Sequence, residues 1–544
     1  MNNAIFSFPD PGNEPIKGYA PGSPERKELQ AKLAELKSQE IEIPLIIGGK
    51  EIKTGNLGKV TMPSDHGHVL ATYHKAGEKE VKMAIDAALE AHKKWSEMPW
   101  VERASITLKA AELLATKHRA LINAATMLGQ GKNAFQAEID AACEAIDFLR
   151  FNAHYVSQIY ADQPSSSAGV INRMEYRALE GFVFTITPFN FTAIASNLNM
   201  APALMGNTTV WKPATTSILS NYYLMQIFKE AGLPDGVINF IPGQGSVIGK
   251  EVFNHKDLAG IHFTGSTNTF QRFWKTIGEN ITKYRSYPRI VGETGGKDFI
   301  FAHKSADAKH VATAITRGAF EYQGQKCSAA SRAYIPQSLW NDVKDFVNAD
   351  IADFKMGDVT DFTNFMNAVI DEAAFDSITD YIRMAKESAD CDIIAGGNTD
   401  KSKGYFVEPT VILTRDPHFV TIEEEIFGPV ITIYVYEDDK YAETLELCDN
   451  TSPYALTGAL FSQDREKLLE GYNALRYSAG NFYLNDKPTG AVVDQQPFGG
   501  ARGSGTNDKA GSYLNLIRWV NARTVKETLV TPTDYRYPFL GEDK

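Results

Sequence analysis

The chain has 544 residues, with 55 Lys+Arg against 67 Asp+Glu and a formal net charge of −12. At about 150 residues per domain this is three or four domains' worth of chain, and 43% hydrophobic with 22% charged residues is a globular make-up, neither disordered nor fibrous. The acidic balance speaks against nucleic acid or an anionic membrane as main partner, since phosphate recognition draws on excess Lys and Arg, and no run of ~18 uncharged apolar residues is present to span a bilayer.

The start, Met1 to Pro11, lacks the basic region and apolar core of a secretion signal and is too acidic for a mitochondrial presequence. The expected compartment is cytoplasmic, or the mitochondrial matrix if a presequence has been cleaved. Residues 1–45 are rich in Pro and Gly, then charged, which predicts an arm over a domain with a short helix from Pro24 to Gln39. From Glu80 to Phe151 apolar residues recur at helical spacing (Val81, Ala84, Ala88; Leu108, Ala111, Leu114), enough for three or four helices. The Ser/Pro-rich segment 163–169 precedes a weakly alternating stretch, Val170 to Ala178, which reads as an exposed hairpin or arm.

Short apolar strands follow: Phe182-Val-Phe-Thr-Ile, Thr209-Val-Trp, Val237-Ile-Asn-Phe-Ile and Gly260-Ile-His-Phe, separated by helical segments such as Ser217 to Ala231. Strands alternating with helices predict a parallel, doubly wound sheet with its ligand at the strand C-terminal ends. A second α/β stretch runs from Phe299 to Asn485, and Ser512 to Val530 reads as one more strand or arm. There are no internal repeats.

The four cysteines, Cys143, Cys327, Cys391 and Cys448, are scattered without a CxxC pair, so neither a disulfide framework nor a metal site is expected and the compartment is reducing. Cys327 stands out within Tyr322-Gln-Gly-Gln-Lys-Cys-Ser. A helix-opening position beside Lys326 would favour its thiolate, the reactive form. The other three read as small buried hydrophobes. Glu293, before two glycines that would let it swing, is a candidate base. Asn190, between aromatics after a strand, offers an amide for a developing oxyanion. No GxGxxG follows the first strand; its substitute is Phe263-Thr-Gly265-Ser266-Thr267, with a helix opening at Asn268 to receive a pyrophosphate. Lys212 would reach a ribose, and Glu425 with Phe427 a second ribose and a nicotinamide. Taken singly, each has a plainer reading: a surface turn for Glu293 and Glu425, a post-proline turn for Asn190, a solvated lysine for Lys212.

Together, PFNF, WKP, FTGS, ETGGK, GQKCS, EEIFGP and QPFGG resemble the aldehyde dehydrogenase superfamily, in its order, from Gly48 to Glu527. Further segments, including Gly129-Gln-Gly-Lys, Gln136 to Ala142 and Tyr483 to Gly490, are similar to the 1-pyrroline-5-carboxylate dehydrogenase branch. The resemblance implies an α/β, aldehyde dehydrogenase-like fold of two doubly wound domains plus a β oligomerisation arm. The NAD-binding domain would cover 1–162 and 182–296, the catalytic domain 297–511, and the arm with its tail 163–181 and 512–544. It implies NAD-dependent oxidation of L-glutamate γ-semialdehyde, in equilibrium with 1-pyrroline-5-carboxylate, to L-glutamate in proline degradation, by a homodimer or larger homo-oligomer.

By motif, Cys327 resembles the nucleophile, Glu293 the base and Asn190 the oxyanion donor. Thr187, Lys212, Glu425 and Phe427 match cofactor positions, with Gly265, Ser266, Thr267, Asn268 and Thr269 at the pyrophosphate. For the substrate, Ser328, Gly490 and Ala491 would hold the α-carboxylate, Phe191 and Phe498 sandwich the chain, and Glu144 face the α-ammonium. Thr215 stands where many members carry a carboxylate that disfavours a 2′-phosphate, so the expectation of NAD over NADP rests on the branch. The alternatives are NAD(P)-linked oxidation of another small semialdehyde and a cofactor-independent thiol esterase.

Overall fold

The computed structural model describes residues 8–542; residues 1–7 and 543–544, the ends of the expected N-terminal extension and C-terminal tail, lie outside the described residues. A helix, Pro24–Lys37, follows Ser23, whose hydroxyl accepts the Arg26 N–H, with Pro24 at the first helical position. The helical stretch resolves into Glu78–Trp95, Trp100–Ala115, Arg119–Gln130 and a run from Ala134 to Ala161 interrupted by a π-helical turn, Glu138–Cys143. In Glu78–Trp95, Val81, Ala84, Ile85 and Ala88 are buried on one face, while the acidic first turn and basic last turn complement the helix dipole.

Two seven-stranded sheets organise the rest. In the first, five parallel strands run in the order Arg289–Glu293, Leu258–Thr264, Phe182–Ile186, Thr209–Lys212, Ile238–Phe240, and Leu45–Ile47 and Lys50–Ile52 extend the last edge antiparallel. Helices cover both faces, so Phe182–Ile186 and Leu258–Thr264 are buried at every residue and read as continuous apolar runs. Among the parallel strands the chain starts at Phe182–Ile186 and builds to one side before returning to the other. The strand order therefore reverses between Phe182–Ile186 and Leu258–Thr264, which opens a crevice at their C-terminal ends.

The second sheet has the order Cys391–Ala395, Thr410–Thr414, Val430–Tyr436, Ala330–Pro336, Asp298–Ala302, Thr457–Phe461, Asn481–Leu484, parallel except for the first strand. Phe299 and Phe301 pack with Tyr334, Tyr436 and Tyr441 on one face, and Ile300, Ala333 and Ile335 enter the core on the other. Val170–Ala178 pairs antiparallel with Val520–Thr528, forming a ribbon whose residues are mostly exposed or half-buried. The segment 512–530 is not a single strand: Ser512 caps a short helix, Tyr513–Ile517, and only then does the arm strand begin. Among the described residues no helix is long and apolar enough to cross a membrane.

Candidate active site

The strand ends of the first sheet carry the sequence-selected residues side by side. Phe182–Ile186 leads into Thr187, whose hydroxyl accepts the Trp211 indole N–H at 2.9 Å. Next to it, Thr209–Lys212 ends on Lys212; its ammonium has no partner among the described residues, and burial lowers its pKa. Lys212 is thus half-buried rather than a fully solvated surface lysine. Leu258–Thr264 ends before Gly265, and Ser266 is the N-cap of Thr267–Asn280, so the helix opens one residue before Asn268. The Ser266 hydroxyl lies 2.8 Å from that of Thr269. Backbone amides at such a helix start suit an anion. Arg289–Glu293, the edge strand, ends on Glu293.

Cys327 approaches from the second sheet by a route the sequence did not announce. Tyr322, Gln323 and Gly324 take consecutive positive φ values of 53°, 53° and 66°. Buried side chains hold this kink: Tyr322 donates to Gln130 O at 2.8 Å, Gln323 to Gly131 O at 3.0 Å and Ala368 O at 2.9 Å, and Gln325 accepts from Ile370 N–H at 2.8 Å. Cys327 therefore sits in a turn leading into Ala330–Pro336, not at a helix start, so its own segment supplies no helix dipole to its thiolate. Lys326 does not serve that role either, because its ammonium binds Glu321 at 3.2 Å. Burial, followed by Asp298, Glu293, Glu425 and Glu144, pushes the Cys327 thiol well above its usual range. The unliganded site favours the neutral thiol.

Glu293 and Glu425 are not surface turns. Glu293 lines a cavity; its Oε2 is buried without a hydrogen-bond partner, and burial pushes its carboxyl well up, against the Gly500 amide and Lys509. Glu425 accepts the Gly296 N–H at 2.9 Å, and burial pushes its carboxyl up to about 7. The glycines after Glu293 are required for close approach rather than for swing. A Cβ on Gly295 would lie 2.4 Å from Glu425 Oε2, and one on Gly296 2.3 Å from Cys327 O. Phe427, at φ 58°, meets Phe189 edge to face at 5.9 Å. Asn190 is buried; its Nδ2 donates to Gln325 O at 3.1 Å, and among the described residues its Oδ1 is unpartnered and no group takes up the Cys327 N–H.

One cavity is lined by Cys327, Ser328, Glu293, Glu144, Phe191, Phe498, Gly490 and Ala491. Asn190, Thr187, Lys212, Gly265 to Thr269, Glu425 and Phe427 fall outside its lining. Ser328 Oγ is 2.8 Å from Thr489 Oγ1, and the N–H groups of Gly490 and Ala491 are unpaired within the described residues, ready for a carboxylate. Gly490 adopts φ 94°. Among the described residues no hydrogen bond reaches the Glu144 carboxyl; burial and Asp140 push it well up, while Lys132 and Lys326 pull it back. Sequence reasoning missed Lys132, fully buried, paired with Asp140 and stacked 3.7 Å over Tyr322 and 4.3 Å over Phe191. The signal was present in Gly129-Gln-Gly-Lys and Gln136 to Ala142, but nothing in those segments announces the π-helical turn that carries Asp140 to the cavity.

A half-buried lysine without a partner among the described residues, an open helix start, a carboxylate raised by burial and a thiol beside an amide unpaired within those residues together suit a dinucleotide-linked attack on a carbonyl. The family model described as the aldehyde dehydrogenase family matches residues 52–525. The chain belongs to the aldehyde dehydrogenase family. Within it, the chain is 53% identical over 540 residues to the mitochondrial delta-1-pyrroline-5-carboxylate dehydrogenase of Dictyostelium discoideum, covering 99% of this chain and 97% of that one. It is 47% identical over 529 residues to the mitochondrial enzyme of the same name from Homo sapiens, covering 97% and 94%. The crystal structure of the Mycobacterium tuberculosis delta-pyrroline-5-carboxylate dehydrogenase bound with NAD superposes with a TM-score of 0.96 at 50% identity, over 99% of this chain and all of that one.

Proposed function

We propose that the chain oxidises L-glutamate γ-semialdehyde, the open form of 1-pyrroline-5-carboxylate, to L-glutamate with NAD. One observation carries the substrate choice: the cavity lined by Cys327 and Glu293 also presents two unpaired amides with the Ser328 hydroxyl, fit for a carboxylate, and the Glu144 carboxyl, fit for an ammonium. Full-length similarity to enzymes named for this substrate supports the reading.

NAD supplies the hydride acceptor. Lys212 and Glu425 would hold its riboses, Gly265 to Thr269 its pyrophosphate, and Thr187 and Phe427 the nicotinamide end. Cys327 Sγ, after giving up its proton to solvent, adds to the aldehyde carbon. The Cys327 N–H and Asn190 Nδ2 donate to the developing oxyanion, Asn190 exchanging its resting contact with Gln325 O for this one. After hydride loss the acyl group is a thioester on Cys327. Glu293 then takes a proton from the water that cleaves it; burial raises its proton affinity above that of an ordinary glutamate. Phe191 and Phe498 hold the aliphatic chain between the polar ends.

We divide the chain into an NAD-binding part (1–162 and 182–296), a catalytic part (297–511) and an arm with tail (163–181 and 512–544), a reading supported by the two sheets and the ribbon. We assign a homodimer or larger homo-oligomer to the ribbon, because an isolated two-stranded element is marginal in water until something covers it. Four unpaired cysteines favour a reducing compartment, cytosol or mitochondrial matrix. The test is kcat/KM with NAD and with NADP for glutamate semialdehyde, succinate semialdehyde and propanal. The expected result is preference for NAD and for the substrate carrying both α-groups; equal values for the three aldehydes would overturn the substrate assignment.

A further inference from the structure

Residues 13–19 of the N-terminal extension join the two walls of the cavity. On one side, Asn13 Nδ2 donates to Asp147 Oδ2 at 2.9 Å and the Glu14 N–H to Asp147 Oδ1 at 2.7 Å, on the helix Glu144–Ala161 that begins with Glu144. On the other, Asn13 Nδ2 also donates to Val493 O at 3.0 Å, and its Oδ1 accepts from Gln495 Nε2 at 2.8 Å. Val493 and Gln495 continue the loop that presents the Gly490 and Ala491 amides. A single side chain thus ties the ammonium wall to the carboxylate wall.

The next residues grip the π-helical turn. The Glu14 carboxylate bridges Arg119 and Arg150, the latter at 2.6 Å, and Arg119 donates to Pro15 O at 2.8 Å while pairing with Glu138. Glu138 is fully buried at the start of Glu138–Cys143, and the strap feeds it two more donors: Lys17 N–H at 2.8 Å and Tyr19 OH at 2.7 Å. A buried carboxylate is tolerable only when its acceptor sites are filled, so the strap supplies part of what lets this turn exist. A π-helical turn is intrinsically disfavoured and re-aims the side chains it carries. Those include Ile139 and Asp140, both on the cavity lining.

We propose that residues 13–19 are a positioning and specificity element for the substrate cavity: they set the spacing between Glu144 and the Gly490–Ala491 amides, and so the preference for an aldehyde carrying both an ammonium and a carboxylate. The inference rests on the glutamate semialdehyde reading. Asn13 touches neither substrate nor cofactor in that arrangement; it acts through Asp147 and Val493.

The experiment measures Asn13→Ala and Glu14→Gln in the full chain, with steady-state kinetics for glutamate semialdehyde and for propanal, which has neither α-group, and a thermal melt of each. For Asn13→Ala the expected result is a KM for glutamate semialdehyde raised about tenfold, the size of one or two lost hydrogen bonds, with kcat, the KM for NAD and propanal turnover at wild-type values. Glu14→Gln should shift the same KM in the same direction and also lower the melting temperature, because it weakens the pairing of buried Arg119. An unchanged KM in Asn13→Ala, or equal losses for both aldehydes, overturns the proposal. Should Glu14→Gln not fold, Asn13→Ala decides alone. Wild-type protein without preference for glutamate semialdehyde would instead refute the substrate reading, independently of the variants.

Discussion

Glu293→Gln separates the two halves of the proposed reaction. The substitution keeps the shape of a side chain at the end of a buried strand, but a neutral amide cannot take a proton from water. In the native site the carboxyl is pushed well up by burial, with Lys509 and the Gly500 amide as the opposing influences and Asp508 adding to the rise. General-base assistance is worth about 10²–10⁴-fold, or roughly 2.7–5.5 kcal/mol at 1.36 kcal/mol per decade. Hydride transfer precedes thioester hydrolysis, so the loss should fall on deacylation alone. Stopped-flow absorbance should show a burst of NADH approaching one per active site at a near-native rate, followed by a steady state slower by that factor. Loss of the burst in proportion to the steady state would refute the reasoning, because Glu293 would then be acting on the Cys327 proton; a native steady state would remove it from the chemistry.

Asn190→Ala should lower kcat by about 10²–10³ with little change in the KM for NAD, as removal of one oxyanion donor does; kinetics within threefold of wild type would shift that role to other donors. Because the Cys327 thiol is raised, its thiolate fraction in the unliganded protein is small at neutral pH and grows with pH. Iodoacetamide should therefore modify it about tenfold faster per pH unit on the alkaline side, with Cys143, Cys391 and Cys448 protected by burial; a rate flat from pH 6 to 9 would show a stabilised thiolate instead. Gly296→Ala forces a methyl against Cys327 O and within 2.5 Å of Asp298 Oδ2, so it should cost about 1–3 kcal/mol of stability and most of the activity, read by denaturant melts and NADH formation. A native melt would show that the turn can yield.

The amino-acid sequence by itself determined the elements and their order. Continuous apolar runs announced the buried parallel strands, 3.6-residue spacing the helices, weak alternation the arm at Val170–Ala178, and seven ordered motifs the family. These signals are legible because they are local: each records the period, turn or cap its own segment needs. Tertiary structure decided the electrostatic state of the site. Cys327 read as a helix-start thiolate beside a cation, yet it lies in a turn, and Lys326 is engaged by Glu321. Glu293, a surface turn in its plainest single-residue reading, has its Oε2 buried without a partner, beside Gly500, Asp508 and Lys509. The contacts that shape the substrate cavity join positions far apart in the chain: Ser328 and Thr489 are separated by 161 residues, Asn13 and Val493 by 480. No pattern within a segment specifies such pairs, because whether a polar side chain is solvated, paired or stranded depends on which distant surface folds against it, and that desolvation is what sets the protonation of a thiol or carboxyl.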